Sequence, residues 1–205
     1  MGQGVGGALA SHEAHGRQPM RYFDLIHDVS LPGRWDLDNP TDPRGQEVDP
    51  WQFTEGRPVE VAERLTIPVS AEGRPLDFSW AGFSIPIVSA RAASIFTTLA
   101  PRDVQFLPVT VPGHPEPFYL LVCTRVVKCI DDERSTEVRY WKPEDGRPER
   151  VGHYRSVYRL RIDPAKVGEA RIFRTWGWLE ALIVSEDIKE ALERLGAVGP
   201  KFKEV

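Results

Sequence analysis

Proline and glycine interrupt this chain so often that no long regular element can form. The sequence carries 18 Pro and 17 Gly in 205 residues, about 17% together where an average domain holds near 12%. Proline removes a backbone donor and clashes inside a helix, so an all-helical bundle is excluded and strands broken by turns are expected. The longest apolar stretches, Phe118–Cys123 and Ala181–Val184, fall far short of the roughly 18 to 20 residues that a membrane-crossing helix needs. With 41% hydrophobic and 27% charged residues and a net charge of −4, the chain is too apolar for disorder throughout and reads as one globular domain.

Cys123 and Cys129 fall in one predicted strand, Phe118–Ile130, which at ~3.3 Å per residue sets them about 20 Å apart. A disulfide wants Cα atoms roughly 5.5 Å apart, so two buried free thiols in a reduced, cytoplasmic protein are the expectation. There is no CxxC pair and no Cys/His cluster with metal-ligand spacing.

Composition divides the chain. Residues 1–19 hold few large apolar side chains and no Lys, which predicts a disordered leader ahead of a single domain at 20–205. They lack the basic start and apolar run of a secretory signal, and Gly6 stands where a myristoylation site wants Ser or Thr. Residues 20–80 are acidic and loop-rich; over Met20–Glu63 ordered turns with two or three short strands are expected, with Trp35, Trp51 and Phe53 folding the loops back onto a core. Residues 81–205 read as regular α+β. Ser89 caps a helix over about 90–99 with Ala92, Ile95, Phe96 and Leu99 on one face, and Pro101 stops it. Asp103–Val111 and Phe118–Ile130 read as strands, the second central in its sheet. His153–Asp163 alternates, with Tyr154, Tyr158, Leu160 and Ile162 on one face and Arg155, Arg159 and Arg161 on the other. Arg171–Thr175 is a short strand, Ser185 caps a second helix over about 186–195, and Gly196 ends it. The fold class is thus α+β, a mostly antiparallel sheet with two short helices.

A shift of 96 positions lays Trp80 on Trp176, Ile87-Val88-Ser89 on Ile183-Val184-Ser185, Leu99 on Leu195 and Phe106 on Phe202. The apolar stripe Ala92, Ile95, Phe96, Leu99 falls on Ile188, Ala191, Leu192, Leu195 in the same register. Two readings remain: an internal duplication at offset 96, or two unrelated capped helices that each precede a strand.

Catalytic signatures are sparse. Phosphate-loop, dinucleotide, nucleophile-elbow and zincin motifs are all missing. His12 and His15 sit at i, i+3 without a third ligand, and His27, His114 and His153 fall in no catalytic spacing, so no metal and no cofactor are expected. Asp131-Asp132-Glu133 is the best local carboxylate cluster, and a cleft there would suit an enzyme or small-ligand binder. Adjacent residues of an extended chain point in opposite directions, so a solvated turn with Asp–Arg pairing is the simpler reading. The arginine stripe of 155, 159 and 161 matches a phosphate-binding face, but interleaved Glu144, Asp145, Glu149 and Asp163 argue for a solvent-facing sheet and against nucleic acid.

Taken together, RWDLDNPTDPRGQEVDPWQFTEGRPVEV (34–61), GRPLDFSWAGFSIPIVSARAASIF (73–96), DVQFLPV (103–109), YLLVCTRVVKCIDDERS (119–135) and IFRTWGWLEALIVSEDIKEALERLGAVGPKFKEV (172–205) resemble the myxobacterial-type immunity proteins of bacterial polymorphic toxin systems. The likeness covers about Arg21 to Val205 and leaves 1–19 outside. It implies a non-catalytic cytoplasmic protein that binds a cognate toxin domain, often a nuclease or another enzyme, with no nucleic acid and no membrane among its partners. The resemblance assigns no binding residue. On physical grounds the acidic loops are the expected toxin-binding surface: carboxylates of Asp36, Asp38, Asp42, Glu47 and Asp49 facing a basic cleft would speed association, with Trp35 and Trp51 as apolar anchors.

Overall fold

The computed structural model describes residues 20–205, so the leader expected over 1–19 lies outside the described residues. Strands β1 (Tyr22–His27), β2 (Asp36–Leu37), β3 (Leu65–Thr66), β4 (Val69–Ala71), β5 (Phe78–Ala81) and β6 (Ile85–Ser89) precede helix α1 (Ala90–Leu99). Then come β7 (Val104–Val111), β8 (His114–Cys123), β9 (Val126–Val127), β10 (Thr136–Tyr140), β11 (Tyr154–Tyr158), β12 (Ile172–Thr175) and β13 (Trp178–Ser185), followed by helix α2 (Glu186–Arg194) and β14 (Pro200–Glu204). The strands form a seven-stranded sheet, ordered β3-β7-β8-β6-β5-β2-β4, a five-stranded sheet, ordered β14-β1-β13-β12-β9, and the separate hairpin β10-β11. Pairing is antiparallel except at β2/β5, β3/β7 and β9/β12. The α+β expectation, mostly antiparallel with two short helices, holds.

Both helices start where the sequence places them. Ser89 Oγ accepts the Ala92 amide at 3.3 Å, capping α1, and Gly196 takes the left-handed conformation, φ +64°, that closes α2. The apolar stripes meet in one core, where Phe96 and Leu192 pack with Phe23, Leu25, Phe78 and Leu121 from the inner faces of both sheets. The outer face of the large sheet is covered by the loops that carry Phe53, Val59 and Ile67, with Leu65 of β3 packed in the same cluster. Residues 127–170 cover part of the small sheet's outer face through Cys129, Ile130, Leu160, Ile162 and Val167. No helix among the described residues is long and apolar enough to cross a membrane.

The echo at 96 positions is a structural repeat and reaches further than the helices. In the large sheet β8 lies between β6 and β7, with Tyr119 opposite Val88 and Pro108. In the small sheet β1 lies between β13 and β14, with Phe23 opposite Val184 and Glu204. Tyr119 and Phe23, Val184 and Val88, and Glu204 and Pro108 all stand 96 apart. The neighbouring pairs agree, Leu121 opposite Phe106 matching Leu25 opposite Phe202. Each repeat is therefore a strand, a hairpin, a helix and a returning strand, and the first strand of each is inserted into the sheet of the other.

Two strand expectations are corrected. The Phe118–Ile130 strand ends at Cys123, which pairs with Val104, the first residue of β7, and one further bond, from the Thr124 amide to the Asp103 carbonyl at 2.8 Å, closes the ladder. The chain then changes sheets, with Val126 pairing parallel to Arg174. Cys123 and Cys129 are both free and buried, as expected, but in different cores. The His153–Asp163 strand is shorter too. It runs Tyr154–Tyr158 and breaks at Arg159, which sits at φ +43°, so Tyr158 turns outward, 65% exposed, while Leu160 and Ile162 remain buried.

Candidate functional site

Two turns that correspond in the repeat, β5–β6 (residues 82–84) and β12–β13 (residues 176–177), sit side by side. Gly82 and Gly177 adopt φ +56° and +78°, open to glycine at little cost. A Cβ on Gly82 would stand 1.9 Å from the Asn39 side-chain oxygen, so any other residue there must displace the Asn39 side chain as well as adopt the left-handed backbone. Arg174, completely buried, ties the turns together: one terminal nitrogen donates to the Leu179 carbonyl at 2.5 Å and the other to the Ser84 carbonyl at 3.0 Å. Its Nε has no partner among the described residues. Burial lowers its pKa.

Around these turns lie two adjoining clefts. One, of about 500 Å³, is lined by Trp51, Glu55, Val126, Trp141, His153 and Trp176. The second, of about 370 Å³, is lined by Asp24, Trp51, Trp80, Phe83, Tyr158 and Trp178. Trp51, Ser84 and Glu180 border both. The chain projects aromatic rings here for local reasons. Asp49 accepts the Trp51 amide at 3.1 Å and so caps a 3₁₀ turn, Pro50–Phe53, that plants Phe53 in the core and turns Trp51 out. Phe83 caps the β5–β6 turn and is 89% exposed. The His153 ring meets Trp176 edge-on at 5.1 Å, Lys128 Nζ stands 4.5 Å from the Trp176 ring centre, and Arg155 lies 5.1 Å from that of Trp141. Nine large apolar side chains are exposed among the described residues, and five of them, Trp51, Phe83, Val126, Tyr158 and Trp176, line these clefts. Such concentration of exposed apolar rings is a common feature of interaction surfaces.

Asp24 lines the second cleft from the middle of β1. Burial pushes its carboxyl up to about 6, against the opposing pull of Lys203, the Leu182 amide and Arg174. It belongs to none of the ion pairs among the described residues. Its counterpart 96 positions on is Leu120, completely buried under the loops of the large sheet.

The residues expected to bind a partner are dispersed. Trp35 is a core residue, 1% exposed, its indole N–H donating to Ser79 Oγ at 2.7 Å, so it cannot anchor a partner. Asp36 pairs with Arg34, Asp42 accepts the Arg44 and Gln46 amides, and Glu47 accepts from Asn39 at 2.8 Å. Asp38 is exposed. Asp42 and Asp49 fasten their own turns, and only Trp51 of the seven reaches the clefts.

The Asp131–Glu133 cluster lines neither cleft. Asp131 accepts the Glu133 and Arg134 amides. Asp132 accepts the phenols of Tyr140 and Tyr154, the latter at 2.7 Å, and burial, Tyr140 and Asp132 together push the Tyr154 phenol up. Two of the three stripe arginines are likewise engaged, Arg155 with Asp145 at 2.7 Å and Arg161 with the Glu204 carbonyl at 2.6 Å, while Arg159 is exposed. Among the described residues no three His, Cys, Asp or Glu side chains gather as a metal site. Sequence reasoning passed over Asp24, Phe83 and Tyr158. The nearest signal was the superposition of Trp80 on Trp176, both of which border the clefts.

The architecture is that of an α+β protein that fastens several turns with carboxylates and gathers most of its exposed aromatic rings around two adjoining clefts. The chain belongs to the immunity protein family Imm11, whose model matches residues 8–205. That match reaches back into the segment the resemblance had left outside. No curated protein matches the chain.

Proposed function

We propose that this protein binds and neutralises a cognate toxin domain in the cytoplasm, acting by occupation rather than catalysis. The observation that carries the reading is the clustering of exposed aromatic side chains around the two paired turns, in a chain of an immunity family. Aromatic rings in clefts with a polar border supply large contact area at low entropic cost and form the energetic centre of many interfaces. The acidic loops, whose Asp38, Glu47 and Asp49 are exposed, are better suited to steering an approaching basic partner than to holding it. The test is co-expression with the toxin domain encoded beside this gene. The expected result is a stable complex on purification and survival of cells that the toxin alone kills. Absence of both would overturn the reading.

A further inference from the structure

We infer that the second cleft is built to receive a cationic side chain, arginine or lysine, from the bound toxin, with Asp24 and Glu180 as its acceptors. The inference rests on the proposed toxin-binding role and adds the chemistry of the contact. Four observations carry it. Asp24 is a half-buried carboxylate in the wall of an open cleft, met by the Leu182 amide but without an ion-pair partner among the described residues. Glu180 borders the same cleft, exposed and without an ion-pair partner among the described residues. The remaining wall is aromatic, Trp51, Trp80, Phe83, Tyr158 and Trp178, the surface over which a guanidinium or ammonium group is favourable. Finally, the corresponding position in the other repeat is Leu120, sealed under loops. A carboxylate in this setting is costly unless a cation reaches it.

The cleft's own cations do not fill the role. Lys203 is the cross-strand neighbour of Asp24, yet it is exposed and not within ion-pair distance. Arg159 is exposed at the far border. Arg174 is committed to the Leu179 and Ser84 carbonyls.

Two measurements test this separately from the immunity reading. In the first, the protein is titrated with argininamide, and with glutaminamide as neutral control, while the indole N–H resonances of Trp51, Trp80 and Trp178 are followed. Saturable shifts with argininamide alone, weakened at least fivefold in Asp24→Asn, are expected. Absence of shifts, or equal shifts in Asp24→Asn, would overturn the inference. In the second, the neighbouring toxin domain is bound to the wild type, to Asp24→Asn, to Glu180→Gln and to Phe83→Ser. Each groove variant should bind at least tenfold more weakly, while Asp38→Asn with Glu47→Gln changes affinity less than threefold. Groove variants within threefold of wild type would overturn the inference and leave the immunity role standing. A wild type that responds to argininamide but binds no toxin would overturn the immunity role instead.

Discussion

The two repeats agree on the faces they turn toward each other and disagree on the faces they turn away. Toward the shared core the correspondence is close: Phe96 and Leu192, Val88 and Val184, Leu121 and Leu25 occupy equivalent places, all buried. On the outer faces, Leu120 and Leu107 of the large sheet become Asp24 and Lys203 of the small one. Loops carrying Phe53 and Ile67 close over the first pair, and the second pair is left with a cleft. Packing restrains the inner residues because each must fit the other repeat as well as its own. An outer face answers only to whatever covers it, and this freedom is where a binding site can arise.

The largest test of the correspondence removes equivalent helix residues. Phe96→Ala and Leu192→Ala should each destabilise by about 3 to 5 kcal/mol, the range for emptying fully buried sites of this size. Denaturant unfolding measures it, and a cost below about 1 kcal/mol at either site would break the equivalence. Next in size is the outer contrast. Leu120→Asn should cost about 3 kcal/mol through lost burial and an unsatisfied amide. Asp24→Asn should do the opposite in a pH-dependent way. Because folding raises this carboxyl to about 6, the folded chain holds a proton between about pH 4 and 6 that the unfolded chain releases, and stability falls as pH rises through that window. Asp24→Asn is accordingly expected to be more stable than wild type by roughly 2 kcal/mol at pH 8 and equal to it at pH 3.5. Equal stability at both pH values would remove the contrast.

Smaller effects sharpen how the repeats are joined. Asp77 accepts from Ser89 Oγ, Arg91 and the Val198 amide, linking the start of one helix to the chain after the other. Asp77→Ala should cost about 2 kcal/mol, since it strands a buried donor. On the other side, Arg171 pairs with Asp187 near solvent, and Arg171→Ala should cost less than about 1 kcal/mol. Thermal unfolding of the two variants distinguishes them, and equal losses would count against the asymmetry. The smallest effect is that of Asp38→Asn with Glu47→Gln, expected within about 0.5 kcal/mol of wild type. A larger loss in the melting curve would mean that the acidic loops hold the large sheet's cover in place.

Much of the fold was legible because its signals are local. Ser89, Pro101 and Gly196 mark helix ends through the backbone groups they satisfy or deny, whereas Ser185 begins α2 without capping it, its hydroxyl donating to the Asp187 carboxylate instead of accepting a backbone amide, and the apolar stripes between these ends have only one face to bury. The strand exchange was half legible. Tyr22-Phe23 and Leu25 stand 96 before Phe118-Tyr119 and Leu121, yet nothing local in a short apolar strand says which sheet it enters. The break after Cys123 was hidden for a related reason: a strand ends when its neighbour does, and Val104 is far away in sequence. The clefts were least legible. Trp35 and Trp51 both sit among prolines and acids, and what separates a core ring from an exposed one is a hydrogen bond to Ser79 in one case and the cap made by Asp49 in the other.

The exchange of first strands also sets an order of events during synthesis. A ribosome releases β1 well before the strands that flank it, β13 and β14, the last two of the described strands in chain order. The large sheet can close once β8 has emerged, whereas β1 must wait, a six-residue edge rich in apolar side chains, until almost the whole chain is free. Folding half by half is thereby forbidden, and contacts of such long sequence separation form slowly and leave sticky edges exposed in the meantime. A chain stopped short of Pro200 would lack the strand that completes the small sheet beside β1, so an unfinished copy is marked as defective at its beginning as well as at its end.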